Sequence, residues 1–218
     1  MKEKFMNGLL TLAVVLMMQL LWWFGIHGPN VMSAVTTPFM TKMMATNLEL
    51  YQAGEGVTAS GVFYTAGSKY SIIANPFASG WFSSTGSGIT MGLIVAIMLF
   101  SKRDDFKAIA KLAIPCGLFN INEPIIFGIP MVMNAMFAVP FFLAPVACVC
   151  CGYLVQSLGL CSLFVIDVPW TTPVGLFGFL ASSGNIMGAI WQVVIIVGVS
   201  TLIYTPFVIA ANRQEAAA

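Results

Sequence analysis

From Ile186 to Ala210 the chain reads IMGAIWQVVIIVGVSTLIYTPFVIA without one charged residue, and this run decides the medium in which the protein folds. A hydrocarbon core of about 30 Å is crossed by roughly 20 apolar residues in a helix. Backbone groups find no water there, so only helices or closed barrels satisfy them, and a run this long that does not alternate is no barrel strand. Composition agrees, with 59% hydrophobic and 8% charged residues, against roughly 25% charged in soluble domains. The expected fold class is therefore all-α integral membrane, polytopic, with the lipid bilayer as surroundings. A net charge of +1 leaves no basic surface for nucleic acid, and no nucleic-acid partner is expected.

Along the chain the apolar runs are repeatedly interrupted. Leu9 to Phe24 reads as a retained first helix, over about residues 8 to 26, because Gln19 and the bulky LLWWF leave no small-residue cleavage site. It stops at GIHGPN, where glycines and a proline break it. Residues 31 to 70 are too polar to span and are expected as an interfacial helix plus loop. After Tyr70 a short apolar piece breaks at Asn75 and Pro76, and a Ser/Gly-rich turn precedes a new run ending at Phe100. Such short segments imply re-entrant hairpins, tolerated at membrane depth only where protein buries them or they line a wet cavity. SKRDDFKAIAK, residues 101 to 111, holds four of the nine basic residues and reads as a cytoplasmic loop. LAIPCGLFNINEPIIFGIP and VIDVPWTTPVGLFGFLASSG are interrupted in the same way. A long apolar stretch to about Leu154 lies between them, and Ile186 to Ala210 is expected as a clean span with a cytoplasmic C-terminus. Three to five full crossings and two or three broken segments are expected, in one membrane domain over residues 1 to 218.

Within the apolar segments the ionisable residues reduce to His27, Glu123 and Asp167. A charge at the bilayer centre costs about 2.5 to 3.5 kcal/mol on insertion scales, so each should face a cavity or a partner. Pro124 pushes Glu123 out of the helical region and itself suits the first position of a helix. Asn122 and Glu123 are thus expected at a helix start, where free backbone donors and the dipole favour a carboxylate. That leaves its oxygens able to accept from ligand hydroxyls, or else to cap or pair inside the bundle. His27, in GIHG, is either a ligand contact or a satisfied helix-end histidine. Trp22, Trp23, Trp81 and Trp170 suit stacking on a sugar face or an interfacial belt; for Trp170, its two flanking prolines and nearby Asp167 favour a site. The five cysteines, ACVCCGY among them, lack zinc spacing and nearby histidines, so neither a metal nor another cofactor is expected. No Walker loop, HExxH or GxSxG occurs.

FNINEPIIFGIPMVMN closely resembles the NEPIIFG signature of the lactose/cellobiose/diacetylchitobiose family of phosphotransferase system (PTS) enzyme IIC sugar permeases. The order GIHG, Gly-Ser-Gly hairpin, basic segment, NEP, PWTTP and last helix is similar too. The resemblance implies a bacterial cell-membrane carrier for a disaccharide or β-glucoside, whose 6-hydroxyl is presented to the phosphocysteine of a separate IIB protein supplied by IIA. The phosphoryl donor then lies on another chain, and the resemblance leaves open whether this one counts as an enzyme. It implies Glu123 as sugar-binding and catalytic carboxylate, with Asn122, His27, Trp170, Trp22 and Ser83 also binding substrate. Ser83 stands where relatives commonly show Asn. Family permeases are about twice as long, so the chain is expected to correspond to the C-terminal half, with the N-terminal half absent and either a homodimer or a separately encoded half as partner. An ion-coupled secondary transporter is the other reading of the buried carboxylate.

Overall fold

A computed structural model describes residues 2–65 and 67–216 of the chain. Helix α1 (Lys2–Trp23) opens the fold and ends where Gly25 takes a positive φ of 81° and the Ile26 amide returns to the Leu21 carbonyl. That left-handed closure is why the first helix stops short of residue 26. Helix α2 (Gly28–Gln52) starts at once, with Pro29 in its first turn. The two helices pack so closely at their junction that a Cβ on Gly28 would fall 2.0 Å from the Met18 carbonyl oxygen. The expected interfacial helix is thus longer than its polarity implied. The loop after it carries a small antiparallel ribbon, β1 (Val57–Thr58) and β2 (Gly61–Val62), with Val57 opposite Val62.

The first broken segment is a helical hairpin. Helix α3 (Asn75–Trp81) and helix α4 (Met91–Phe100) flank a tight turn over residues 83–90. Asn75 and Pro76 do not break the chain there; they begin α3, because proline suits a first turn as well as it ends a preceding one. The basic segment is also not a loop beyond Arg103. Asp104 and Asp105 start helix α5 (Asp104–Leu118), where acidic residues suit the first turn. Helix α6 (Glu123–Gly128) follows a short loop, then helix α7 (Ala135–Ser157) runs unbroken through Pro140 and Pro145.

After α7 the chain makes an extended segment, helix α8 (Leu176–Ala181), and a turn at 182–185. Helix α9 (Ile186–Val193) passes through a π-helical turn (Val194–Val199) into helix α10 (Ser200–Ala216). The last span is therefore continuous but not uniform. Just past the wide turn, Gly92 of α4 packs so tightly that a Cβ would meet Ser200, the first residue of α10. Residues 217 and 218, the end expected on the cytoplasmic side, lie outside the described residues.

Two described helices, Ala135–Ser157 and Ile186–Arg213, are long and apolar enough to cross a bilayer. Apolar packing divides into two clusters. One joins α1, α3, α7 and the 161–168 segment around Phe77, Trp81 and Phe164; the other joins α4, α5, α6, α7 and α10 around Ile94, Phe137 and Tyr204. Trp81 and Phe164 stack with rings 5.1 Å apart and 4° from parallel. The turn at 83–90 lies where the two clusters meet.

Candidate functional site

Glu123 is the first residue of α6, one residue ahead of the start that the Pro124 argument predicts. Its carboxylate is half-buried, and among the described residues no hydrogen bond or ion pair engages it. Asn122 precedes it as the cap residue, but its side chain caps nothing. The amide is buried and donates to the Ser87 carbonyl at 2.6 Å. Gly86 lets it approach, since a Cβ there would fall 2.2 Å from the Asn122 side chain, and the φ of +78° also demands glycine.

His27 caps α2, its Nδ1 accepting from the Asn30 amide at 3.2 Å. A neutral imidazole that accepts at Nδ1 carries its proton on Nε2, so the exposed ring edge is a donor. Trp22 is buried beside it, with ring centroids 4.9 Å apart, and Phe127 of α6 lies 6.2 Å from the Trp22 ring. The indole Nε1–H of Trp22 has no hydrogen-bond partner among the described residues, which leaves a buried donor beside the same histidine. Ser83 is half-buried at the entry of the turn, where its carbonyl accepts from the Gly86 amide at 3.1 Å. Trp170 is 61% exposed.

Four further side chains hold these pieces together. Asn120 Oδ1 accepts from the Thr85 amide at 2.7 Å, while its Nδ2 donates to the carbonyls of Trp170 and Thr172. Gln19 of α1 accepts from the Gly88 amide at 2.9 Å, and the Tyr204 hydroxyl of α10 donates to the Gly88 carbonyl at 2.7 Å. Gln192 of α9 accepts from the amides of Gly175 and Gly178 and donates to the Gly80 carbonyl and Ser84 Oγ. Asp167 is exposed and accepts from Asn75 Nδ2 at 3.0 Å.

The structure thus brings Asn122 against Gly86 and Ser87 of the turn that Ser83 enters, the Trp170 carbonyl against the loop before Glu123, and Trp22 with His27 against Phe127 at the far end of α6. Sequence reasoning noticed Gln19 only as an obstacle to signal cleavage and passed over Asn120, Gln192 and Tyr204. A polar amide inside an apolar run is the signal that would have found Gln19 and Gln192.

None of the six candidate residues lines either of two concavities: one of about 620 Å³ on the α2 surface, the other of about 590 Å³ between α1, α3 and α7. The candidate site is open instead, with Trp170 and the His27 edge on the surface. Among the described residues no group of three His, Cys, Asp or Glu is placed to hold a metal ion.

Two helices long and apolar enough to cross a bilayer, with short helices packed around a tight buried turn, fit a helical integral membrane protein of re-entrant design. Residues 4–145 match the family model described as Phosphotransferase system, EIIC, and the chain belongs to that family. It is 36% identical over 215 residues to the PTS system cellobiose-specific EIIC component of Lactococcus lactis, covering 94% of this chain and 43% of that one. It is also 36% identical to the lichenan permease IIC component of Bacillus subtilis, covering 90% and 41%. Among solved structures it is similar to the transporter ChbC, the IIC component from the N,N'-diacetylchitobiose-specific phosphotransferase system. The TM-score there is 0.83 at 33% identity, over 95% of this chain and 45% of that chain. The chain spans less than half the length of these relatives.

Proposed function

We propose that the chain is the sugar-binding part of a phosphotransferase permease, corresponding to the C-terminal half of a full-length IIC protein and taking a disaccharide or β-glucoside of the cellobiose type. The observation that carries this reading is Glu123: a half-buried carboxylate at the start of α6 with no partner among the described residues. Such a group has both oxygens available to sugar hydroxyls, and charge-assisted hydrogen bonds of this kind are roughly twice as strong as neutral ones. The names of the relatives, cellobiose-specific and lichenan permeases, support the substrate class.

In this reading His27 donates through Nε2, Trp170 offers an exposed ring for the apolar face of a pyranose, and Trp22 backs His27 from beneath. Asn122 and Ser83 shape the floor, Asn122 through its bond to the turn. When the sugar 6-hydroxyl lies within about 2.6 to 3.2 Å of Glu123, the carboxylate takes its proton as the oxygen attacks phosphorus. The phosphoryl group comes from the cysteine of a separate IIB protein, itself charged by IIA, so this chain would form no covalent intermediate. Translocation, dimerisation or pairing with a separate N-terminal half, the bacterial cell membrane as location and a cytoplasmic C-terminus belong to the same proposal. No structural observation favours the ion-coupled alternative.

The test is a tryptophan-fluorescence titration of the purified chain in nanodiscs with cellobiose, diacetylchitobiose and lactose. Saturable binding of at least one sugar is expected, and Glu123→Gln should weaken it by at least about tenfold, the size of one charged hydrogen bond. Unchanged affinity in Glu123→Gln would remove the carboxylate from the site.

A further inference from the structure

The segment that carries Trp170 has little structure of its own. Between Asp167 and Gly175 its one internal backbone bond is Thr172 N–H to the Pro169 carbonyl. Pro169 and Pro173 supply no amide donors, and the segment is mostly half-buried or exposed. Its position must therefore come from outside, and the bonds that supply it are few. Gln192 receives its far end through the Gly175 amide at 2.9 Å, and Asn75 reaches Asp167 at its start. The Pro173 carbonyl accepts from the Phe177 amide of α8 and Val168 is packed into the core; among the described residues Asn120 is the side chain that bonds to the middle, donating to the carbonyls of Trp170 and Thr172.

Asn120 is built for this. It is 6% exposed, so it is screened from anything bound in the open site. Its φ of +66° is a left-handed conformation that asparagine tolerates better than most residues. Both of its side-chain polar atoms are bonded and its backbone amide donates to the Gly117 carbonyl at 3.1 Å, and chemistry settles which way the side-chain amide faces. The Thr85 amide can only donate and the two carbonyls can only accept, so the oxygen must face the turn and the nitrogen must face the Trp170 segment. The partners lie 35, 50 and 52 residues away in sequence. Glu123 follows three residues later, at the start of α6.

We propose that Asn120 is a positioning residue that holds the Trp170 segment in register with the Glu123 loop and the 83–90 turn, and that it sets sugar affinity through Trp170 without touching the sugar. The affinity clause rests on the sugar-site reading above; the positioning clause does not. Asn120→Asp keeps the acceptor for Thr85 and removes both donors to the Trp170 segment. Asn120→Gly keeps the left-handed backbone and removes the whole side chain. Asn47→Asp serves as the comparison: that buried amide of α2 makes the same kind of two-way bond, to Ser71, and bonds to none of the candidate residues.

The experiment reads two quantities on the full chain in nanodiscs. The first needs no ligand: the protein is labelled with 5-fluorotryptophan and the Trp170 ¹⁹F resonance is assigned by its loss in Trp170→Phe. Asn120→Asp and Asn120→Gly should shift or broaden that resonance, whereas Asn47→Asp should leave it in place. The second is cellobiose affinity by titration calorimetry. Asn120→Asp should weaken it about tenfold, the loss expected for two backbone hydrogen bonds. The same substitution in a Trp170→Ala background should add little, because the route to the sugar is already gone. An unmoved Trp170 resonance overturns the proposal. So does a moved resonance with unchanged sugar affinity, or an effect fully additive with Trp170→Ala. If the unaltered chain binds no sugar, the sugar-site reading fails and the affinity clause with it, while the resonance still decides whether Asn120 positions Trp170.

Discussion

The turn at 83–90 and helix α2 are both polar interruptions in an apolar chain, and the fold treats them in opposite ways. From Ser84 to Thr90 every residue but Gly86 is buried; side chains from α1, α10 and the loop before Glu123 bond to the backbone there, and Gln192 of α9 donates to the Ser84 hydroxyl. Helix α2 satisfies its own backbone, buries only Gly28, Met40 and Asn47 along its length, and exposes Val31, Val35 and Phe39 along one stripe. The difference follows from hydrogen-bond supply. A helix leaves its surface free to face lipid, interface or another protein, whereas a non-helical turn at membrane depth must borrow partners from its neighbours. In this protein the lenders are buried amides and one tyrosine, and they are what connects the two apolar clusters.

That contrast breaks most readily at Gly88. Its φ is +80°, and a Cβ would stand 2.4 Å from the Phe141 ring. Gly88→Ala therefore combines backbone strain with overpacking and should cost about 3 kcal/mol, read as an earlier midpoint in chemical unfolding from detergent. A midpoint within error of the parent would mean the turn is loosely held. Tyr204→Phe is milder. It removes one buried bond to the Gly88 carbonyl and should cost about 1 to 2 kcal/mol, checked by the same assay and by faster amide exchange at Gly88. On α2 the expectation reverses: Phe39, 66% exposed, should tolerate serine with a stability change within about 0.5 kcal/mol. A larger loss would show that this stripe is covered in the membrane.

The smallest effect lies at the start of α5. Hydrogen bonds from the Arg103 guanidinium hold the Asp105 carboxyl below the usual carboxylate range. A depressed folded pKa stabilises the fold above the unfolded value of about 3.9, and that contribution is lost as pH falls through the folded value. Asp105 is about half exposed, so the contribution is screened and small. Asp105→Asn should slightly flatten the acid limb of stability below about pH 4. A steeper limb in the variant would contradict the pairing.

Local rules carried the reading of Glu123 furthest. Pro124 placed the helix start, and the structure has it one residue earlier, at Glu123 itself. The same rules misjudged Asn75–Pro76 and the basic segment, since proline and charge mark both ends of helices and only the neighbouring chain decides which end is meant. The Asp104–Asp105 pair was a legible start signal that the positive charge around it obscured. Within the candidate site, residue types and order were visible, but the partners were not. Nothing in FNIN says that its first asparagine binds a carbonyl 50 residues later.

By itself the sequence determined the medium, the helical class, the helix start at the NEP motif and, through that motif, the family. These depend on composition and on interactions within a turn or two of chain. The tertiary structure decided which amides hold the turn, that Asn122 faces Ser87 rather than capping α6, and that Trp170 is carried by Asn120. Those outcomes depend on which distant backbone groups are left without a partner once the helices have packed, and a linear pattern does not record that.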